Sequence, residues 1–280
     1  MLSKFFKKDK GATPVAEGEG AEMGFLDHLD VLRKHLFKAA FAMVAVSIIV
    51  FLSKDFVFND IIFAPKNADF PTYKFFCNLS EVTCFHPPDF KIMTIVMGEQ
   101  FFVHIKVSIW LGFTFAFPYI FYQFWSFIKP GLYQGERKAA RGLVLACSSL
   151  FVLGVLFGYY VISPFAITWL AGYSVGLDAV NSPSLDSYVN YLTMFTLPAG
   201  IMFELPVLIY FVAKIGLVSA DFLSKYRRHA IIVILIVAAI ITPPDVVTQL
   251  LIGTPVLILY EVGILVAKRV NPTPKESQTS

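Results

Sequence analysis

The chain has 280 residues, 56% hydrophobic and only 15% charged, with 29 phenylalanines and a formal net charge of +3. A water-soluble domain of this length carries more charge, and +3 is too small to point to a nucleic-acid partner. The apolar residues come in long blocks, so the placement of the charges is informative.

The chain starts with the basic stretch "MLSKFFKKDK", followed by "GATPVAEGEGAE". A cleavable signal would put an apolar core there, so none is predicted, and residues 1–23 read as a disordered tether. Six apolar blocks follow: His35–Leu52, Phe101–Tyr122, Gly142–Trp169, Ser187–Ala213, Ala230–Ile241 and Val246–Ala267. A membrane-spanning helix needs about 20 mostly apolar residues. Lipid offers no water to backbone polar groups, so each block is predicted to be helical. The prediction is an all-α polytopic membrane protein with six transmembrane helices over residues 24–270 and a short tail, 271–280. Pro118, Pro164, Pro198 and Pro206 fall inside blocks two to four, so kinked spans and a concave body are expected. Block five, at about 12 residues, is roughly 18 Å of helix. That is short of the ~30 Å hydrocarbon core, so it either thins the bilayer around it or extends at both ends. Block six is interrupted by Thr248, Gln249, Pro255 and Glu261.

Lys and Arg set the orientation, because cytoplasmic loops collect them. Eighteen of the 23 lie in segments 1–38, 125–141, 214–228 and the tail; four (Lys54, Lys66, Lys74, Lys91) lie in loop 53–100, and Lys106 is inside block two. Both termini are therefore expected in the cytoplasm, with the protein in the plasma (inner) membrane. Lys106 is expected to snorkel outward or to pair with an acid such as Glu99.

Cys147 reads as a small core residue. Cys77 and Cys84 both fall in loop 53–100, where a disulfide and two free thiols are both open readings. With His86 they offer only three metal ligands in a loop, and no metal site is assigned. No P-loop, H-E-x-x-H or G-x-S-x-G motif is present. Ser108 follows His104 at helical spacing, which reads as helix packing before it reads as a nucleophile and its base. An enzyme is not expected, nor is a cofactor. The alternative is a proton- or ion-coupled secondary transporter of a small solute.

Four segments decide between these: "FLDHLDVLRKHL" (25–36), "YQFWSFIKPGLYQGERK" (122–138), "FELPV" (203–207) and "TPPDVVTQ" (242–249). In this order, on six spans, the chain resembles the TatC family, the multi-spanning receptor subunit of the twin-arginine protein translocase. The resemblance covers about residues 24–270. It implies recognition of folded precursors through signal peptides bearing paired arginines. It also implies assembly with TatA/TatB-type single-span partners in the lipid bilayer, self-association, and transport driven by the proton-motive force.

Two adjacent guanidiniums call for carboxylates on the basic, cytoplasmic face. In the first inner loop the acid is Glu136, and around the start of the first helix are Asp27 and Asp30, three apart and so on one helical face. Asp27 could instead serve the helix N-terminus. Arg137 and Phe127 flank the same loop; Phe127 could touch the apolar part of a signal peptide or belong to the interfacial aromatic belt. The family writes H-L-x-E-L-R where this chain has His28-Leu29-Asp30-Val31-Leu32-Arg33. The acid is one residue early, a turn of about 100°. Either Asp30 reaches from a shifted angle or Glu136 carries more of the recognition.

Thr242 and Gln249 frame the outer turn before block six, where the resemblance implies docking of partner helices; Gln249 could equally be an internal hydrogen-bond anchor. Asp245 suits a helix start. Pro65, Glu99 and Pro130 match structural positions. Glu204 is the lone charge between Ser187 and Phe211, and it sits between Pro198 and Pro206. It reads as a kink anchor, as a polar dock for a partner span, or as a proton relay. In each case it faces protein or a water-filled concavity.

Overall fold

A computed structural model describes residues 25–128, 139–174, 176, 181–241 and 246–270. Its principal helices are α1 (Phe25–Leu52), α2 (Pro71–Leu79), α3 (Glu99–Ile128), α4 (Ala139–Phe157) and α5 (Ser163–Gly172). They continue as α6 (Leu185–Phe203), α7 (Leu205–Lys214), α8 (Ala220–Lys225), α9 (Arg227–Ile241) and α10 (Val246–Val270). A π-helical turn, Gly158–Ile162, joins α4 to α5, and Glu204 alone joins α6 to α7. Five of the resulting rods are long and apolar enough to cross a bilayer: Leu29–Leu52, Glu99–Ile128, Gly142–Gly172, Leu185–Lys214 and Thr248–Val270. The fifth apolar block is α9, three residues longer at its start than expected. Its 15 residues rise about 22 Å, still short of the ~30 Å core.

The prolines act differently from one another. α3 runs on through Pro118, α6 through Pro198 and α10 through Pro255. The interruptions fall at Glu204, just before Pro206, and at the π turn, just before Pro164. Proline at the first turn of a new helix loses no bond that the helix would have made. Thr248, Gln249 and Glu261 likewise leave α10 unbroken.

α1 packs antiparallel to α3. His35 hydrogen-bonds Gln123 at 2.7 Å at one end, and His104 Nε2 donates to the Phe51 carbonyl at 3.0 Å at the other. Between them the helices touch so closely that a Cβ on Gly112 would lie 2.0 Å from Ser47 Oγ. The rest of α1 is bare: Phe41, Ile49 and Leu52 are exposed. In a bilayer such a surface meets acyl chains at no hydrophobic cost. α4 and α6 cross just as closely, because a Cβ on Gly154 would stand 2.8 Å from the Gly200 Cα. Without side chains at these points the backbones approach and gain dispersion contacts, the usual source of helix association in lipid.

Two cores result. Val103, Val107 and Trp110 of α3 pack with Val189 and Leu192 of α6. Phe195, Ile209, Ala238, Ile252 and Ile264 tie α6 and α7 to α9 and α10.

Residues 53–98 form a cap at the end of α1 and the start of α3. The Tyr73 hydroxyl donates to the Pro65 carbonyl at 2.8 Å, Tyr188 to Ile62 at 2.9 Å and Tyr159 to Ile61 at 2.6 Å. Burial pushes the Tyr73 phenol up to about 12, which keeps it a donor at neutral pH. Backbone bonds from Met93 N–H to Pro183 and from Leu185 N–H to Met93 fasten the cap to α6. Cys77 and Cys84 are joined in a disulfide. His86 lies 3.7 and 3.5 Å from the two sulfurs. Thiolates are the metal-binding form of cysteine, so this trio, bonded in this way, is not a metal site.

Candidate functional site

Glu204 occupies the joint between two helices. Its N–H is directed to the carbonyls of Ile201 and Met202, and its own carbonyl accepts from Val207 and Leu208. The Met202 carbonyl, which Pro206 cannot serve, is thus met by the Glu204 backbone and not by its carboxyl. The side chain turns to α4, where it interacts with the Cys147 thiol and the Phe151 backbone amide. Oε1 is buried and has no hydrogen-bond partner among the described residues. Cys147 therefore has a polar neighbour that its apolar block did not suggest.

Lys106, Glu99 and Glu261 all have polar partners. Lys106 bonds Asp186 and, at 2.9 Å, Asn190 of α6. Glu99 is not its partner, because that carboxylate accepts the N–H groups of Ile95, Val96 and Asp186 at 2.7, 3.2 and 2.9 Å. Arg227 at the start of α9 meets Glu261 of α10 through Nε and one terminal nitrogen, at 2.7 and 2.9 Å, a two-point guanidinium–carboxylate contact. Sequence reasoning missed Asp186, Asn190 and Arg227. The available signal was a charge within an apolar block at Lys106 and Glu261, each requiring a partner.

Gln249 donates from Nε2 to the Leu235 carbonyl of α9 at 3.0 Å, an anchor inside the hairpin. Ser108 Oγ donates to the His104 carbonyl while the His104 ring bonds Phe51, so no nucleophile–base pair forms between them.

At the opposite end from the cap, Asp30 is exposed on α1 and pairs with Lys34 at 3.3 Å. Phe127 is half-buried in the last turn of α3. The His35–Gln123 bond brings these two helix ends together. Asp27 lies on α1, with its side chain outside the described residues; Glu136, Arg137, Pro130, Thr242 and Asp245 lie outside them altogether. Pro65 is buried in the cap.

The profile of the Sec-independent protein translocase protein (TatC) family matches residues 27–255. A TatC from Blattabacterium of Periplaneta americana is 37% identical over 90% of this chain and 97% of its own length. One from Helicobacter pylori 26695 is 45% identical over 65% of this chain and 72% of its own. A crystal structure described as the twin arginine translocase receptor TatC superposes with a TM-score of 0.69. It is 34% identical and covers 87% of this chain and 99% of the solved one. The chain belongs to the TatC family. It is a multi-pass membrane protein and a component of a Sec-independent protein translocase. Among the described residues of this TatC, the buried side-chain polar atoms without a partner are Glu204 Oε1, Ser148 Oγ and the indole nitrogens of Trp110 and Trp125; Glu204 is the one carboxyl group of the four, and Asp30 is an exposed acid at the α1–α3 end.

Proposed function

We propose that this TatC is the core receptor of a twin-arginine translocase. It binds paired-arginine signal peptides of folded precursors on its cytoplasmic face and scaffolds TatA/TatB-type single-span partners, with export driven by the proton-motive force. The observation that supports recognition is Asp30. It is an exposed carboxylate, held beside the end of α3 that leads into Glu136 and Arg137, and its ion-pair partner among the described residues is a solvent-exposed lysine. A surface pair of that kind is worth about 0.3–0.5 kcal/mol, so a guanidinium displaces Lys34 readily. Asp27 and Phe127 supply the remaining acid and an apolar contact. Six spans, with α9 counted beside the five long rods, put both termini in the cytoplasm of a cell whose inner membrane holds the protein.

Glu204 supports the scaffold role. A buried acceptor without a donor costs about 1–3 kcal/mol, and a polar group on a partner span would relieve it. Gln249 and Thr242 would frame a second contact for partner helices at the other end of the molecule.

The test is site-specific crosslinking of a twin-arginine signal peptide to the membrane-inserted protein. Glu136→Ala is expected to abolish the crosslink with the protein still at its normal level. Asp30→Ala should weaken it by about tenfold, the worth of one charge-assisted hydrogen bond. Unchanged crosslinking in both variants would remove these acids from the site.

A further inference from the structure

Segment 53–100 carries six acids and four lysines. Lys74 is paired with Asp69 at 3.1 Å. The other three lysines, Lys54, Lys66 and Lys91, line a single open cavity of about 1010 Å³ beneath the cap, and only one acid, Asp55, shares it. None of the three forms an ion pair among the described residues. On a face where acids outnumber bases, this gathering of unpaired cations is a local reversal of sign. Asn59, Asn67 and Gln100 add neutral donors to the same wall.

Phe58, Phe63, Ile92, Phe101 and Leu185 give the lining an apolar part, with Thr94 and His104 beside them. Phe101 is itself exposed, as are Leu52 and Phe56 at the neighbouring end of α1. The cavity therefore lies where two spanning helices leave the hydrocarbon, with cations beside an apolar surface continuous with the lipid-facing side of α1. The His104 ring is committed to the Phe51 carbonyl and shapes the wall without adding charge to it.

We propose that this cavity binds the phosphate headgroup of an anionic phospholipid of the outer leaflet. The three ammonium groups meet the phosphate while an acyl chain follows the phenylalanines toward Leu52. Ammonium groups are compact point-charge donors suited to phosphate, and basic pockets at the ends of spanning helices are fitted to lipid headgroups. A soluble phosphate would use the same cations but not the apolar floor, and so the lipid is the assigned occupant. The leaflet named here rests on the orientation given under Proposed function; the binding itself does not.

Native mass spectrometry of the full-length protein in detergent tests this, with phosphatidylglycerol and phosphatidylcholine as probes. The wild type is expected to retain one more tightly held phosphatidylglycerol than the Lys66→Gln/Lys91→Gln variant, whose affinity at this site falls by about thirtyfold. Lys74→Gln, which removes a charge outside the cavity, should match the wild type, and phosphatidylcholine should show no difference among the three. Equal retention by the double variant overturns the proposal. Equal loss in Lys74→Gln overturns it too, because net charge alone would then be at work. Displacement of the lipid by inorganic phosphate at equal concentration assigns the cations to a soluble anion and overturns the lipid. Reporter fusions that placed the cap in the cytoplasm would move the site to the other leaflet while leaving the binding result intact, so the two failures are distinguishable.

Discussion

Glu204 shows how one residue can be both structural and available. Its backbone completes the joint between α6 and α7, and its carboxyl reaches Cys147 and Phe151 of α4, yet one oxygen stays without a partner among the described residues. If that oxygen serves a docking partner, Glu204→Gln should keep substantial export, since an amide still offers an acceptor. Glu204→Ala should lower crosslinking to single-span partners without lowering protein level. Export assays with immunoblots of the membrane fraction separate the cases. A dead Gln variant with normal crosslinking would favour proton transfer, and a degraded Ala variant would leave only the anchor. The presence of a special acid was legible in the sequence, because a charge in an apolar block is conspicuous. Its neighbours were not, for Cys147 is 57 positions away and looked like packing. Lys106 failed for the same reason. Its partner lies 80 residues on, whereas nearby Glu99 is already saturated by backbone donors.

Among the elements, length and hydropathy revealed the helices but not their ends. Block two was expected over Phe101–Tyr122 and is helical from Glu99 to Ile128, since hydrogen bonding continues past the hydrocarbon into residues that hydropathy discounts. The joints were legible only in part, because proline marks a break solely where no neighbouring structure absorbs its missing donor. The α4–α6 crossing was hidden for a different reason: a glycine says nothing about which helix it admits. Gly154→Leu should force Ala199 and Phe203 aside, at a cost of about 1–3 kcal/mol for overpacking, and lower the thermal midpoint in detergent. Gly142, with nothing within 4 Å of its would-be Cβ, is the control: Gly142→Leu should leave the midpoint unchanged.

At the scale of the whole molecule, the charge asymmetry carries the orientation. A periplasm-active reporter fused after Ser182 should be active, and fusions after Gly135 or Ser224 inactive, since Ser182 precedes α6 on the lysine-poor side. The reverse pattern would invert the molecule and with it the placement of Asp30 and Glu136. The cap's cohesion lay beyond the sequence. It rests on one tyrosine of the cap, Tyr73, and two from distant segments, Tyr159 and Tyr188, that reach carbonyls of the stretch 61–65, and nothing in the spacing of those tyrosines announces a common target.

The shortness of α9 bears on how the chain is made. With 15 residues it is a poor candidate to settle in lipid alone, since its hydrophobic length falls short of the ~30 Å core. Polar ties from it, Arg227 to Glu261 and the Leu235 carbonyl to Gln249, run to α10. Neither tie exists until α10 has left the ribosome. The last two helices are therefore expected to enter the membrane together as a hairpin, with α9 held there by its successor.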